Sequence, residues 1–182
     1  MSISLDGYVA RQDGQLDWMT WDQDAKLLDF ITRLADTSDT IIMGRKMAPE
    51  FLTYWENVVD NEPDNFYSKF APSMVNTKKI VFSKTLSSIP GRNVEVENGE
   101  LVEKIKQLKN QEGKDILAYG GADFISSLID HDLIDDYYLL LNPTAIGKGL
   151  SIFSDTKPLR LLDSNAYECG VIVNHFQPRE VK

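Results

Sequence analysis

Glycine, hydroxyl and cationic residues follow three apolar stretches of the sequence, and they are the residues best suited to bind a phosphorylated ligand. Gly120-Gly121 comes directly after the apolar run 116–119, which is typical of a strand buried on both faces, and a helical apolar pattern follows. Such a turn exposes bare backbone, and the new helix directs free N–H groups and its positive dipole end at a bound anion. A tight β–α turn without a ligand is the alternative, because a glycine pair alone is a weak motif.

Two further apolar runs end in residues of the same kind. Residues 41–43 precede Gly44-Arg45-Lys46, and residues 78–82 precede Ser83-Lys84-Thr85. Paired cations suit a phosphate monoester, although solvated surface cations and ordinary turn residues are the alternatives. In open α/β sheets, ligands bind beyond the carboxyl ends of the strands, so we expect the three ends to converge on one extended ligand. Gly120-Gly121 would take a pyrophosphate and the other two groups a terminal phosphate, without the G-x-G-x-x-G of a standard Rossmann domain.

Composition excludes several classes of protein. The chain has 182 residues, a length that predicts a single domain over residues 1–182. Its net charge is −9, and it contains one cysteine and two histidines. The acidic balance argues against nucleic-acid and anionic-membrane binding, and the cysteine and histidine counts argue against disulfides and a metal site. No apolar run approaches the ~20 residues of a membrane span, and no signal peptide is visible. We therefore expect a cytoplasmic protein.

The remaining pattern predicts the elements that position these groups. Short strands are expected at 3–10 and 94–96 and a long strand at 134–141. Helices are expected from Asp22 or Asp24 to Asp36 and from 98 to 113. Residues 159–162 and 169–176 predict an antiparallel hairpin at a sheet edge, because no helix separates them. The aromatic segment 48–77 predicts helices at 48–55 and 63–71, and it could cover a pocket, form a subunit interface or pack in the core.

Two tryptophans follow a glycine-containing polar loop near the start of the chain. Trp18 and Trp21 could form a pocket wall, and hydrophobic anchoring of the loop is the equally weighted alternative.

Five motifs follow one another along the chain: Ser4-Leu5-Asp6-Gly7-Tyr8-Val9-Ala10, Met43-Gly44-Arg45-Lys46, Val81-Phe82-Ser83-Lys84-Thr85, Tyr119-Gly120-Gly121-Ala122, and Asn142-Pro143 with Ile146-Gly147-Lys148-Gly149 and Phe153. In this order they resemble the dihydrofolate-reductase-like superfamily. The resemblance is greatest to its RibD C-terminal-domain branch, the bacterial riboflavin-biosynthesis reductase domain and its stand-alone relatives. The resemblance covers nearly the whole chain and implies an α/β fold with a mixed central sheet flanked by helices and a C-terminal antiparallel hairpin.

The same resemblance implies NADPH and a hydride transfer to a small heterocycle, either a ribosylaminopyrimidine-like riboflavin precursor or a pterin-like compound. It also implies a possible homodimer. By analogy, a cofactor-binding helix opens at Gly44, Arg45 and Lys46, and the adenosine 2′-phosphate is approached by Ser83, Lys84 and Thr85. The pyrophosphate would face Gly120, Gly121 and Ala122, and the nicotinamide would lie by Val9 and Ala10. The residues implied to bind substrate are Asp6, Trp18 and Trp21.

Two departures from the family pattern bear on activity. Met47 stands where the family often has threonine, which removes a hydroxyl that could contact phosphate. A carboxylate on the first helix serves the pterin in dihydrofolate reductases, and the candidates for that catalytic role are Asp22 and Asp29, with Asp24 beside them. Helix capping is the alternative for Asp22 and Asp24. A nucleotide-binding protein without turnover is the second hypothesis, and an interaction module built on the aromatic segment is the third.

Overall fold

The described residues, 1–19 and 23–179 of a computed structural model, divide into two units with a four-stranded sheet in each. Unit 1 comprises residues 1–24 and 122–182, and unit 2 comprises residues 25–121. The predicted α/β class is confirmed, whereas the single domain over residues 1–182 stays a prediction. The elements are β1 (Ser2–Ile3), α1 (Ala25–Asp36), β2 (Ser38–Gly44), α2 (Ala48–Asn61), α3 (Ala71–Asn76), β3 (Lys78–Phe82), β4 (Val94–Glu97), α4 (Leu101–Lys109), β5 (Asp115–Gly120), α5 (Ala122–Asp130), β6 (Tyr137–Leu141), β7 (Leu159–Ala166) and β8 (Ile172–Pro178).

The sheet of unit 2 is entirely parallel, in the order β4-β3-β2-β5. Helices lie in the connections from β2 to β3 and from β4 to β5, whereas residues 83–93 join β3 to β4 without a helix. Helices that cover the faces of a parallel sheet account for the apolar runs in β2 and β3. Ile41, Met43, Ile80 and Val81 are all at most 1% exposed. The run 116–119 in β5 is only half-buried, because β5 is an outer strand of this sheet and pairs there with β2.

Aromatic side chains from the segment 48–77 pack in the core of unit 2. Phe51, Trp55 and Phe70 are buried, and the rings of Trp55 and Phe70 meet edge to face with centroids 5.1 Å apart. The helix expected at 48–55 is α2, which continues to Asn61. The helix expected at 63–71 is wrong, because these residues form successive turns and α3 begins only at Ala71. Asn65 favours the turns, since its side chain accepts the backbone N–H of Tyr67.

The sheet of unit 1 is mixed, in the order β1-β6-β8-β7. β1 runs parallel to β6, while β8 is antiparallel to both β6 and β7, so the predicted C-terminal hairpin is confirmed. The first strand is shorter than the expected 3–10. After Ile3 the chain turns, and Ala10 makes only an isolated antiparallel bridge to Leu150.

Lys79 is a buried cation at the second position of β3. It is 1% exposed, and its Nζ donates hydrogen bonds to the carbonyl oxygens of Met74, Val75 and Thr77 at 3.0, 2.8 and 2.7 Å. These carbonyls lie at and just after the end of α3, where unpaired acceptors favour a cation. Burial nevertheless lowers the pKa of Lys79 to about 8.

We expect the protein to become more stable as the pH rises from 7 to 9.5. In this range an unfolded Lys79 with the ordinary pKa of 10.5 keeps its proton while the folded one loses it, so the free energy of unfolding rises by about 2 kcal/mol. Urea unfolding followed by circular dichroism measures the change. Lys79→Met should abolish the rise, and Lys78→Met, at an exposed ion pair with Glu95, should retain it. An unchanged slope in Lys79→Met would contradict the assignment.

Candidate functional site

The three strand ends singled out from the sequence lie side by side on one edge of the unit 2 sheet. Gly44 at the end of β2 pairs with Phe82 at the end of β3, and Met43 pairs with Gly120 at the end of β5. All three strands run in the same direction, so the residues that follow them leave the sheet at the same edge. The structure therefore brings together the groups that begin at Gly44, Ser83 and Gly120.

The turn after β2 presents two cations. Met47 N donates to Gly44 O at 3.3 Å, which closes a turn before α2 begins at Ala48. Arg45 and Lys46 are exposed on this turn, and the guanidinium of Arg45 has no partner among residues 1–19 and 23–179. Met47 occupies the N-cap position of α2, where its side chain caps no N–H.

Ser83 organises the turn after β3. It is 7% exposed, and its Oγ accepts the backbone N–H groups of Thr85 and Leu86 at 3.1 and 2.9 Å. The Ser83 and Thr85 hydroxyl oxygens lie 3.5 Å apart, and either hydroxyl can donate to the other. The second hydroxyl can then donate a hydrogen bond to another acceptor at this turn. The pattern is a serine turn, as expected from the residue type, and it also fixes where Lys84 leaves the backbone.

Lys84 is fully engaged with the neighbouring segment after β4. Its Nζ donates to Glu100 Oε1 at 2.7 Å and to the carbonyl oxygens of Asn98 and Gly99 at 3.3 and 2.9 Å. The hydrogen bond from Lys84 lowers the pKa of the Glu100 carboxyl, which stays charged. The sequence spacing of these residues gave no indication of this contact, because it joins two loops that follow neighbouring strands.

The turn after β5 has the backbone that only glycine adopts readily. Gly120 is buried, and Gly121 has a φ of +90°, in the left-handed region. α5 begins at the next residue, Ala122. Before the turn, the Tyr119 ring packs 4.6 Å from the Phe51 ring, and burial raises the pKa of its hydroxyl well above the usual range. Tyr119 therefore stays a neutral proton donor.

In unit 1, Asp6 ties the first loop to the glycine-rich loop that follows β6. Its carboxylate accepts the Ser4 hydroxyl at 2.7 Å and the backbone N–H groups of Ile146 and Gly147, the shortest at 2.7 Å. These bonds, that of Ser4 foremost, lower the pKa of Asp6. The substrate role of Asp6 stays a prediction, and its visible role is to hold residues 140 positions away in the sequence.

Val9 and Ala10 are buried against the end of the same glycine-rich loop. Val9 N donates to Leu150 O at 2.9 Å, and Leu150 N donates to Ala10 O at 2.8 Å. A Cβ at Gly149 would lie 2.3 Å from Ala10 O, so this crossing requires glycine. The motif Ile146-Gly147-Lys148-Gly149 includes this glycine, but its sequence does not identify the contact.

The remaining predicted side chains are placed as follows. Trp18 is 4% exposed, and its indole N–H has no partner among the described residues. Trp21 and Asp22 lie outside the described residues. Asp29 is exposed on α1 and paired with Arg33 one turn away. Asp24, directly before α1, is 8% exposed and accepts the Cys169 N–H at 3.2 Å.

The donor set at the unit 2 edge fits one part of a dinucleotide better than the other. The exposed guanidinium of Arg45 and the bare backbone at Gly121 suit the doubly charged pyrophosphate. The turn after β3 would receive a phosphate monoester less readily, because Lys84 is already paired with Glu100. No helix in the described ranges combines the length and apolar character needed to cross a bilayer, and no group of three His, Cys, Asp or Glu side chains there could hold a metal ion.

One family model and two proteins of Bacillus subtilis are similar to most of this chain. The family model described as RibD C-terminal domain matches residues 1–173. The chain is 30% identical over 175 residues to the uncharacterized protein YyaP of Bacillus subtilis, covering 94% of this chain and 89% of YyaP. It is 27% identical over 158 residues to the uncharacterized protein YwjB of the same organism, covering 85% of this chain and 80% of YwjB.

Two solved structures show the same fold. The putative riboflavin biosynthesis protein from Shewanella is 23% identical with a TM-score of 0.72, and the match covers 99% of this chain and 97% of that one. The diaminohydroxyphosphoribosylaminopyrimidine deaminase/5-amino-6-(5-phosphoribosylamino)uracil reductase from Thermotoga maritima is 19% identical with a TM-score of 0.66. That match covers 98% of this chain but 55% of the longer protein.

Proposed function

Because the chain belongs to the RibD C-terminal domain family, we propose that it is an NADPH-dependent reductase that transfers a hydride to a small heterocyclic substrate. The substrate class is a ribosylaminopyrimidine-like riboflavin precursor or a pterin-like compound. The observation that carries the proposal is the register of β2, β3 and β5, which sets three phosphate-suited strand ends on one edge of a parallel sheet.

The proposed contacts follow from what each strand end offers. Gly120 and Gly121 leave bare backbone for the pyrophosphate, and Arg45 supplies an exposed guanidinium that would bind phosphate oxygens in a fork. The further cofactor contacts proposed are Gly44, Lys46, Ser83, Lys84 and Thr85 in unit 2 and Val9, Ala10 and Ala122 in unit 1.

NADPH supplies the hydride when it is bound, so the task of this chain is to orient both molecules, exclude water and provide a proton. Asp22 and Asp29 are the proposed carboxylates. Asp29 is exposed and paired with Arg33, so its carboxylate would have to exchange that partner before it could serve a substrate. Asp6, Trp18 and Trp21 are the proposed substrate contacts.

A nucleotide-binding protein without turnover is the second candidate function. Met47 supports it, because the side chain at the N-cap of α2 forms no capping hydrogen bond and lacks the hydroxyl that the family resemblance implies at this position. The ion pair of Asp29 supports it as well, since it neutralises one of the two proposed acids.

Titration with NADPH, followed by the fluorescence of the cofactor, tests binding. NADPH consumption across a panel of pterins, ribosylaminopyrimidines and quinone-like acceptors tests turnover. We expect saturable binding and oxidation of NADPH with at least one nitrogen heterocycle. Binding without consumption by any acceptor favours the second candidate, and no binding at high micromolar NADPH would rule out both.

We also propose that the protein acts in the cytoplasm as a homodimer. β7 is an outer strand of the unit 1 sheet, and Leu161 and Leu162 on it are 52% and 42% exposed. Antiparallel pairing with the β7 of a second copy would cover these leucines and satisfy the backbone groups of an open sheet edge.

Leu161→Lys is expected to convert the dimer into a monomer, because it places like charges on a self-complementary strand. Light scattering on a gel-filtration column measures the mass. Val59→Lys, at a residue on α2 that is 38% exposed, is the control and should remain dimeric. A monomeric wild type would contradict the proposed dimer.

A further inference from the structure

We infer that Glu100 determines cofactor selectivity by occupying Lys84, so that this chain binds NAD(H) nearly as tightly as NADP(H). The inference rests on the proposed function, since it concerns the strand-end turn to which the adenosine 2′-phosphate is assigned. The observation behind it is that the one lysine of the Ser83-Lys84-Thr85 turn is already bonded to a carboxylate and two carbonyl oxygens.

The position of Glu100 shows that its side chain is committed to Lys84. Glu100 is the N-cap residue of α4, where a side chain normally accepts a backbone N–H of the first helical turn, and it makes no such bond. Its Oε1 lies instead 2.7 Å from Lys84 Nζ. A phosphate monoester arriving at Lys84 would therefore meet a fixed carboxylate at the same ammonium group.

The cation next to Lys84 in this cluster, Lys104, is also paired with a carboxylate. Glu97, at the end of β4, pairs with Lys104 at 2.7 Å and accepts the Gly99 N–H at 2.7 Å. The two lysines and the two glutamates of this cluster cancel. A ribose 2′-hydroxyl, in contrast, can donate to Oε2, the second carboxylate oxygen of Glu100, which is the recognition that separates NAD(H) from NADP(H) in dinucleotide sites.

The expected size of the effect is modest, because both side chains of the pair are more than half exposed, at 62% and 76%. An exposed ion pair contributes little in itself, so the discrimination comes mainly from the repulsion between Glu100 and the incoming phosphate. We expect Glu100→Gln to tighten NADP⁺ binding by about fivefold to tenfold and to change NAD⁺ binding by less than about twofold.

Isothermal titration with NADP⁺ and NAD⁺ measures the two dissociation constants in wild type, Glu100→Gln and the control Glu103→Gln. Glu103 is an exposed acid in the first turn of α4, so its replacement changes the net charge equally. Lys84→Met in the Glu100→Gln background should remove the gain for NADP⁺. Thermal melting of each variant checks that the fold is retained.

The possible results distinguish a failure of the inference about Glu100 from a failure of the proposed function. A selective gain for NADP⁺ in Glu100→Gln that depends on Lys84 supports the inference. A dinucleotide that binds with an unchanged NADP⁺-to-NAD⁺ ratio, or an equal gain in Glu103→Gln, overturns it while the proposed function stands. If neither dinucleotide binds to any variant, the proposed function fails and the inference fails with it.

Discussion

Replacing Gly121 by valine is expected to weaken NADPH binding by more than about 100-fold, because the turn after β5 would lose both its shape and its bare backbone. Gly121 has a φ of +90°, a conformation in which a β-branched residue is strongly strained. The added methyl groups would also stand where the pyrophosphate is proposed to approach the chain. The same fluorescence titration that tests the proposed function measures the loss.

Loss of binding must be distinguished from loss of fold, since a strained residue of this kind costs about 1–3 kcal/mol in stability. Gly170 is a matched control, because it has a φ of +86° in the connection between β7 and β8. Gly170→Val should lower the melting temperature at least as much, since its Cβ also meets Pro143 at 3.1 Å, yet NADPH should still bind. The alanine variants at both positions serve if valine prevents folding. Intact NADPH affinity in Gly121→Val would refute the role of this turn.

The strand ends could be predicted from the sequence because their signals are local. Apolar runs of β2 and β3 are followed at once by glycine, hydroxyl or cationic residues, and parallel strands bring their carboxyl ends to one edge. The C-terminal hairpin was predictable for a similar reason, since two apolar stretches without a helix between them pair antiparallel.

The contacts that adjust the site could not be predicted, because they join residues far apart in the chain. Asp6 holds the backbone of Ile146 and Gly147, and Lys84 holds Glu100. Neither pair follows a helical or strand period, so residue type and spacing carry no signal for them. The mistaken helix at 63–71 has a different cause, since side-chain bonds of Asn65 compete locally with helical hydrogen bonds.

The contact between Lys84 and Glu100 also changes which cation at the edge of the unit 2 sheet is the best candidate to bind phosphate. From the sequence, Arg45, Lys46 and Lys84 are equivalent candidates for phosphate. In the structure, Lys84 is occupied by Glu100, whereas the exposed guanidinium of Arg45 has no partner in the described part of the chain. An anion that binds Arg45 does not have to displace a partner in the described part of the chain. Most of the free energy of the new ion pair therefore contributes to binding affinity.

Arg45→Ala is therefore expected to weaken NADPH binding by about tenfold to 100-fold, the range that hydrogen bonds to a charged group support, without a change in melting temperature. The NADPH affinity of Arg45→Lys should lie between those of the wild type and Arg45→Ala, because an ammonium group keeps the charge but cannot form the bidentate fork. Arg33→Ala is the control for net charge, at an exposed ion pair on α1. Titrations at low and high salt should show a weaker salt dependence in Arg45→Ala than in Arg33→Ala, because only Arg45 is proposed to contact phosphate. Equal affinity in both alanine variants would mean that the pyrophosphate is held by backbone alone.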